Sequence, residues 1–318
     1  MSSDLQERAR AAARASFGNR VYIRGLIEIS SYCKNNCYYC GLRAGNRRAQ
    51  RYRLNREQIL ECCRSGHALG FRTFVLQGGE DPGLTDDWVT GTVAAIKEEF
   101  PDCAVTLSLG ERSEPVYRMW KEAGADRYLL RHETADEEHY RMLHPPELSF
   151  QRRRECLYAL KELGYQVGAG FMVGSPGQTE ETLAKDLEFL QELQPHMIGI
   201  GPFVPHRDTP FGGEPAGTAE QTLEWISRLR IAFPKTLLPA TTALGTIDPV
   251  GREKGILAGA NVVMPNLSPA DVRSKYELYD NKLCTGAEAA ESLADLKARL
   301  QGIGYEIEVG RGDHPDCL

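Results

Sequence analysis

Between residues 21 and 265 the chain alternates short β-prone apolar runs with amphipathic helical patterns, and that alternation restricts its fold more than any other feature. The runs are Val21–Ser30, Arg72–Gly78, Ala104–Gly110, Arg127–Glu133, Gln166–Val173, Met197–Val204, Leu238–Thr246 and Asn261–Pro265. The amphipathic segments between them are Asn55–Leu69, Thr85–Glu99, Glu114–Ala123, Ser149–Leu163, Thr179–Leu193, Thr218–Ala232 and Pro249–Ala258. Each strand-plus-helix unit takes about 31 residues, the size of a βαβ repeat. Eight such units predict a (β/α)8 TIM-type barrel of parallel strands, with a doubly wound sheet as the alternative.

The remaining segments fit one domain over residues 1–318, with a barrel core at about 21–265. Residues 1–20 read as an amphipathic helix closing the barrel bottom. Residues 266–318 read as a short extension packed outside, with a helix near Ala287–Leu300 followed by Gly304–Val309. The 318 residues are 42% hydrophobic, enough for a large core, and the net charge is −6. That balance argues against nucleic acid or an anionic membrane as partner. No apolar stretch is long enough to span a bilayer, and the N-terminus carries no secretory pattern, so the expected location is cytoplasmic.

In a barrel of this kind, functional groups gather at the C-terminal ends of the strands. The unusual polar residues do fall there, from Gln77–Asp81 after strand 2 to Arg131–Thr134 after strand 4 and Thr241-Thr242 after strand 7. Strand 1 ends in Cys33-X3-Cys37-X2-Cys40, the one informative cluster among nine cysteines. Soft thiolates suit an iron–sulfur centre or zinc. A closed structural zinc site wants four ligands, commonly as two separated pairs, and no second pair follows. Three thiolates on a four-iron cube would leave one iron open to a ligand. Unligated core thiols are the third reading.

The run SYCKNNCYYCGLR resembles the signature of the radical S-adenosylmethionine (SAM) superfamily. Further stretches, among them LQGGEDPG, EAGADRYLLRHETA, GAGFMVGSPGQT, GIGPFVPHRDTP, LPATTALGT and GANVVMPNLSP, resemble the HydE family of FeFe-hydrogenase maturases over nearly the whole chain. Methylornithine synthase and biotin synthase are related families with the same barrel. The resemblance implies one 4Fe-4S cluster on Cys33, Cys37 and Cys40, whose open iron chelates SAM. Reductive cleavage then yields methionine and a 5′-deoxyadenosyl radical, used in assembly of the hydrogenase di-iron subcluster. It also implies a low-potential electron donor, other hydrogenase maturases as partners, and a small iron-containing or small anionic substrate.

By the same resemblance, Tyr39, Gly78, Gly79, Glu80, Ser108, Glu133, Arg153 and Met264 are expected at the cofactor. Arg24, Arg131, Thr241, Thr242 and Tyr276 are expected at the substrate. Several have a bland alternative. Gly78-Gly79-Glu80 makes a tight turn, Arg152–Arg154 forms a solvated basic face, Thr241-Thr242 is β-prone filler, and Met264 packs a core. Arg24 lies inside a strand, where a charge needs a polar lumen. Thr106 and Ser108 share one strand parity and face the lumen together, whereas His132 points away. His206 and Asp208 read as loop structure. The peripheral second cluster of some relatives is not expected, since only Cys284 remains in that region. The other function classes are a methylornithine synthase-like or biotin synthase-like enzyme, or a non-catalytic Fe–S or zinc scaffold.

Overall fold

The computed structural model of the protein describes residues 3–284 and 290–317. The chain enters through helix α1 (Ser3–Phe17) and continues into strand β1 (Arg20–Ile23), extended by β2 (Gly25–Ser30). Then follow α2 (Arg56–Ala68), β3 (Thr73–Gly78), α3 (Asp86–Glu99), β4 (Ala104–Ser108), α4 (Glu114–Glu122) and β5 (Arg127–Leu129). After α5 (Glu137–Leu143) and α6 (Phe150–Glu162) come β6 (Gln166–Ala169), β7 (Met172–Val173) and α7 (Glu180–Leu193). β8 (Met197–Ile198), β9 (Gly201–Pro202), α8 (Ala219–Ala232), α9 (Thr242–Ile247), α10 (Gly251–Leu257) and β10 (Val262–Val263) complete the ring.

β2, β3, β4, β5, β6 and β8 form one parallel sheet in that order. Its open edges meet through residues too short to make regular strands. Ile198 N donates to Leu237 O at 3.0 Å, Asn261 N to Leu238 O at 2.8 Å, and Tyr22 N to Asn261 O at 2.9 Å. β10 pairs in parallel with β1, and Leu26 bridges Asn266, so the ring of eight closes. Closure excludes the doubly wound alternative, because an open sheet would leave those edge groups unpaired.

The helices begin where capping chemistry places them. Asn55 and Gln58 form a reciprocal capping box on α2, and Thr179 and Thr182 do the same on α7. Two helices depart from the sequence expectation. α5 fills the loop after strand 4, started by the Asp136 carboxylate accepting from His139 N. Residues from Thr242 onward, read as strand, form α9 with Thr241 as its extended N-cap. Threonine's strand preference yields there to the tertiary path of the chain.

The extension departs from expectation in part, for two of its segments return to the ends of the ring. Residues 266–282 run at the mouth, where Tyr276, Leu278, Tyr279 and Lys282 join one cavity wall. Beyond them, α12 (Leu293–Gly302) follows the short α11 (Ala270–Arg273); residues 287–289 of the expected helix lie outside the described residues. β11 (Glu306–Glu308) pairs in parallel with β1, and Arg311–Asp313 then pass beneath the ring. Arg127 donates to Arg311 O at 2.6 Å and to Asp313 Oδ1 at 2.5 Å, while Thr73 Oγ1 donates to Arg311 O at 2.7 Å. The floor strands carry buried polar groups that need partners, and the tail supplies them. α1 closes the rest, with Phe17 packed on Met197, Leu237 and Val262.

Candidate active site at the barrel mouth

The cysteine loop is tied down by the Arg51–Arg53 segment that follows it. Arg51 donates to the carbonyls of Ser31, Leu42 (2.9 Å), Arg43 (2.8 Å) and Asn46 (3.2 Å), an all-carbonyl clamp. Arg53 pairs with Asp81, whose carboxylate also accepts from Ser30 Oγ at 2.5 Å. Strand 1, the cysteine loop and the turn after strand 2 are thereby one unit. Gly79 lets that turn close on the loop, since a Cβ there would lie 2.2 Å from Tyr32 O and 2.7 Å from Cys33 Cβ. Lys34 N donates to Glu80 O across the same contact at 2.9 Å. Gly110 is required twice over: its φ is +75°, and a Cβ would meet Glu80 Cγ at 2.0 Å.

These loops surround a cavity of about 360 Å³ at the C-terminal ends of the strands. Cys33, Cys37 and Cys40 line it together, and no other cysteine or histidine does so among the described residues. Burial pushes all three thiols up, Cys40 to about 12. Bare thiolates are therefore unfavourable, and a cationic centre on these sulfurs would have to supply the compensating charge. Three soft donors on one loop, with no fourth beside them, fit a cluster that keeps one metal corner open.

Tyr39 is wedged beside the trio. His144 Nδ1 faces Tyr140 O at 3.0 Å, so its Nε2 accepts from Tyr39 Oη at 3.2 Å. Burial, with Arg153 adding to it, pulls His144 down to about 3 and keeps it a neutral acceptor. Arg153 reaches the cavity from α6, donating to Glu111 Oε1 at 2.5 Å and to Arg131 O at 2.7 Å. Burial opposes its charge, but Tyr140, Glu111 and Tyr39 outweigh that and hold the guanidinium firmly protonated.

Arg131 and Glu133 line the same cavity, 3.2 Å apart as an ion pair. Arg131 Nε is buried with no hydrogen-bond partner, as is Thr241 Oγ1, while Arg131 Nη2 and Glu133 Oε2 have only each other. Buried polar atoms are rarely left so, and here they line a cavity with room for a polar group that would complete them. Glu133 also sits at φ +66°, a left-handed conformation costing about 1–3 kcal/mol for a non-glycine residue. Such strain concentrates at ligand-binding positions.

Of the sequence-derived candidates, Cys33, Cys37, Cys40, Tyr39, Gly78, Gly79, Glu80, Ser108, Arg131, Glu133, Arg153, Thr241, Thr242, Met264 and Tyr276 all line this cavity. Arg24 does not. It lies below, in a separate chamber of about 10 Å³ with Thr106, Arg127 and His196. There Arg24 Nη1 donates to Met197 Sδ at 3.0 Å and Nη2 to Gly312 O at 3.3 Å. Met197 and Leu129 line both chambers and form the partition. Arg24 points into the lumen as strand parity requires, but one layer too low to touch a ligand at the mouth. His132 points outward to Asp186, at 3.2 Å. His206 accepts from Asp208 N through Nδ1, at 3.1 Å.

Sequence reasoning missed a second polar cluster in the same cavity. Glu28, fully buried on β2, accepts from Lys282 Nζ at 2.7 Å and from Asn266 Nδ2 at 2.9 Å. Gln77 Nε2 donates to Tyr276 Oη at 3.3 Å beside it. Glu28 has the parity of Arg24, so the rule that singled out one buried strand charge points equally to the other. Lys282 left no such signal, because its place depends on the extension crossing the mouth.

A closed parallel barrel carrying a three-cysteine loop at its mouth defines a class of enzyme. Residues 27–190 match the Radical SAM superfamily, about half of the chain, and the protein belongs to that superfamily. Its members use a 4Fe-4S cluster held by three cysteines together with SAM, and the donor set described above fits both. Within the superfamily the chain is a HydE homologue. It is 50% identical over 271 residues to the [FeFe] hydrogenase maturase subunit HydE of Thermotoga maritima, covering 85% of this chain and 77% of that one. The 3-methylornithine synthase of Methanosarcina acetivorans is 33% identical over 303 residues, covering 94% and 83%. Among solved structures, methylornithine synthase (PylB) superposes with a TM-score of 0.84 at 30% identity, over 97% of this chain and 90% of that one. HydG, a maturase of the [FeFe]-hydrogenase, shares the fold with a TM-score of 0.83 at 20% identity, over 97% and 70%. No helix among the described residues is long and apolar enough to cross a membrane.

Proposed function

We propose that this protein is a cytoplasmic radical SAM enzyme of FeFe-hydrogenase maturation, acting as HydE does with the other maturases on a small iron-containing or anionic substrate. When bound, the cluster and SAM supply one-electron cleavage of the sulfonium to methionine and a 5′-deoxyadenosyl radical. The residues of the chain do the rest. Cys33, Cys37 and Cys40 hold the cluster, and Arg51 braces their loop. Gly78, Gly79, Glu80, Ser108, Glu133 and Arg153 bind SAM, with Tyr39 and Met264 packing beside it. Arg131, Thr241, Thr242 and Tyr276 hold the substrate further in, behind a mouth lined by the extension that excludes water.

One observation carries this reading: unpartnered donors on Arg131 and Thr241 line the same cavity as the three thiols. It also bears on the runner-up. A mutase acting on an amino acid with a free side-chain ammonium needs a deep carboxylate, and Glu28 is already taken by Lys282 and Asn266.

Two experiments test the proposal. Anaerobically reconstituted protein given dithionite and SAM should form methionine and 5′-deoxyadenosine; their absence ends the enzyme reading. Co-expression of a hydrogenase with the other maturases, with and without this protein, should give active hydrogenase only with it. Equal activity without it would reject the maturase assignment while leaving the chemistry intact.

A further inference from the structure

From Lys34 to Arg53 the chain carries six basic residues and no acidic one, although its net charge is −6. A run like this is ordinarily a solvated face, so the placement of its counter-ions decides what it can do. Each ion pair around the cysteine loop has its cation outside and its carboxylate underneath. Lys34 is 57% exposed over Glu80 at 7%, and Arg48 is 81% exposed over Asp208 at 19%. Arg53 over Asp81 and Arg207 over Asp280 repeat the order. On the helices both orders occur, with Glu57 outside Arg64 and Glu180 outside Arg228 but Arg299 outside Glu253 and Arg141 outside Glu137. The mouth is therefore a positive rim on a negative protein.

Apolar groups share that rim. Tyr32 is exposed with the Arg53 guanidinium 4.1 Å over its ring, and Met142 is exposed next to Leu143, whose carbonyl accepts from Tyr38 N at 3.0 Å. Cys33 lies between exposed Tyr32 and exposed Lys34, so this part of the cysteine loop borders the rim directly. A small charged ring with a few apolar contacts above a redox site has the make-up of a weak, fast electron-transfer encounter.

We propose that the rim of the cysteine loop, centred on Tyr32, Lys34, Arg47, Arg48 and Arg53, is the docking face for an acidic one-electron carrier protein. The proposal rests on reading Cys33, Cys37 and Cys40 as the cluster ligands. One electron leaves the carrier and enters the metal centre, and no bond is made or broken. Electrostatic steering of this kind raises association rates by roughly 10–10³ and fades with salt.

The test uses reconstituted holoprotein and reduced flavodoxin as the acidic carrier, with cluster reduction followed by stopped flow. The double variant R47E/R48E should slow reduction at low salt by about tenfold or more and flatten its salt dependence. Iron content and reduction by photoreduced deazaflavin, a small reductant, should be unchanged, and R228E on α8 should behave as wild type. Equal rates for R47E/R48E and wild type with flavodoxin would overturn the proposal. So would slowing by both reductants alike, which is damage to the site, or equally tight retention of a short DNA duplex, which is generic polyanion binding. Failure to assemble any cluster would instead remove the reading of the cysteines on which the proposal stands.

Discussion

The mouth and the floor of the barrel are both lined by buried arginines, yet they are opposite in kind. At the floor, Arg127 is met by Asp313 and by the carbonyl of Arg311, and Thr73 donates to that same carbonyl. Burial opposes the charge of Asp313, but Arg127 and Arg311 outweigh it and hold the carboxyl at about 2. What remains is a chamber of about 10 Å³, room for a single water, lined by Arg24 and Thr106, whose buried Nε and Oγ1 have no partner. At the mouth, Arg131 keeps one unpartnered nitrogen, Nε, and an ion pair with the strained Glu133, in a cavity of about 360 Å³ that the three thiols also line. A buried charge in a strand therefore does not identify a ligand site. The identifying feature is polar groups left incomplete around a space large enough to complete them.

The contrast can be broken most severely at the mouth. Cys37→Ala should abolish both iron binding and SAM cleavage while the apo-protein stays folded; an intact cluster absorbance with turnover would refute the ligand set. At the floor, Asp313→Ala should lower unfolding free energy by about 3–5 kcal/mol in urea, because it strands a buried guanidinium. Turnover per bound cluster should not move, and a selective loss of turnover would place the floor in the reaction after all. Arg131→Ala should do the converse, leaving cluster and stability near wild type. It should lower kcat/KM for the maturation substrate by roughly 10- to 150-fold, the worth of a charged hydrogen bond.

Smaller effects sharpen the comparison. His144 is neutral down to about pH 3 when folded but takes a proton near 6.5 when unfolded. Its folded pKa is depressed, so its stabilisation is complete above pH 6.5 and lost as pH falls towards 3. Apo-protein should therefore lose up to about 1.4 kcal/mol per pH unit from this residue, and His144→Gln should flatten that slope. Smallest of all, Glu133→Gly should raise apo-protein stability by about 1 kcal/mol through relief of the positive φ. The same change should weaken SAM binding measured by calorimetry; a loss of stability would mean that the conformation carries no strain.

Much of this was legible in the amino-acid order. The strand–helix period, the capping residues and the Cys33–Cys40 spacing are local, and local patterns survive into the fold. Strand parity carried Arg24 and Glu28 into the lumen, but parity has a period of two and says nothing about height along the barrel axis. Height is set by register and barrel closure, which is why Arg24 belongs to the floor and Arg131 to the mouth. Thr242 turned helical for a related reason, since a weak β preference cannot outweigh the path the chain must take to α10.

The sequence by itself determined the parallel barrel and the soft-metal loop, because both are encoded in short-range spacing of apolar residues and thiols. Only the tertiary structure decided which buried charges are satisfied. The extension returns twice to the barrel, bringing Lys282 to Glu28 at the mouth and Asp313 to Arg127 at the floor. Pairings across 254 and 186 residues leave no local trace, and they separate the wide cavity at the mouth from the narrow chamber at the floor.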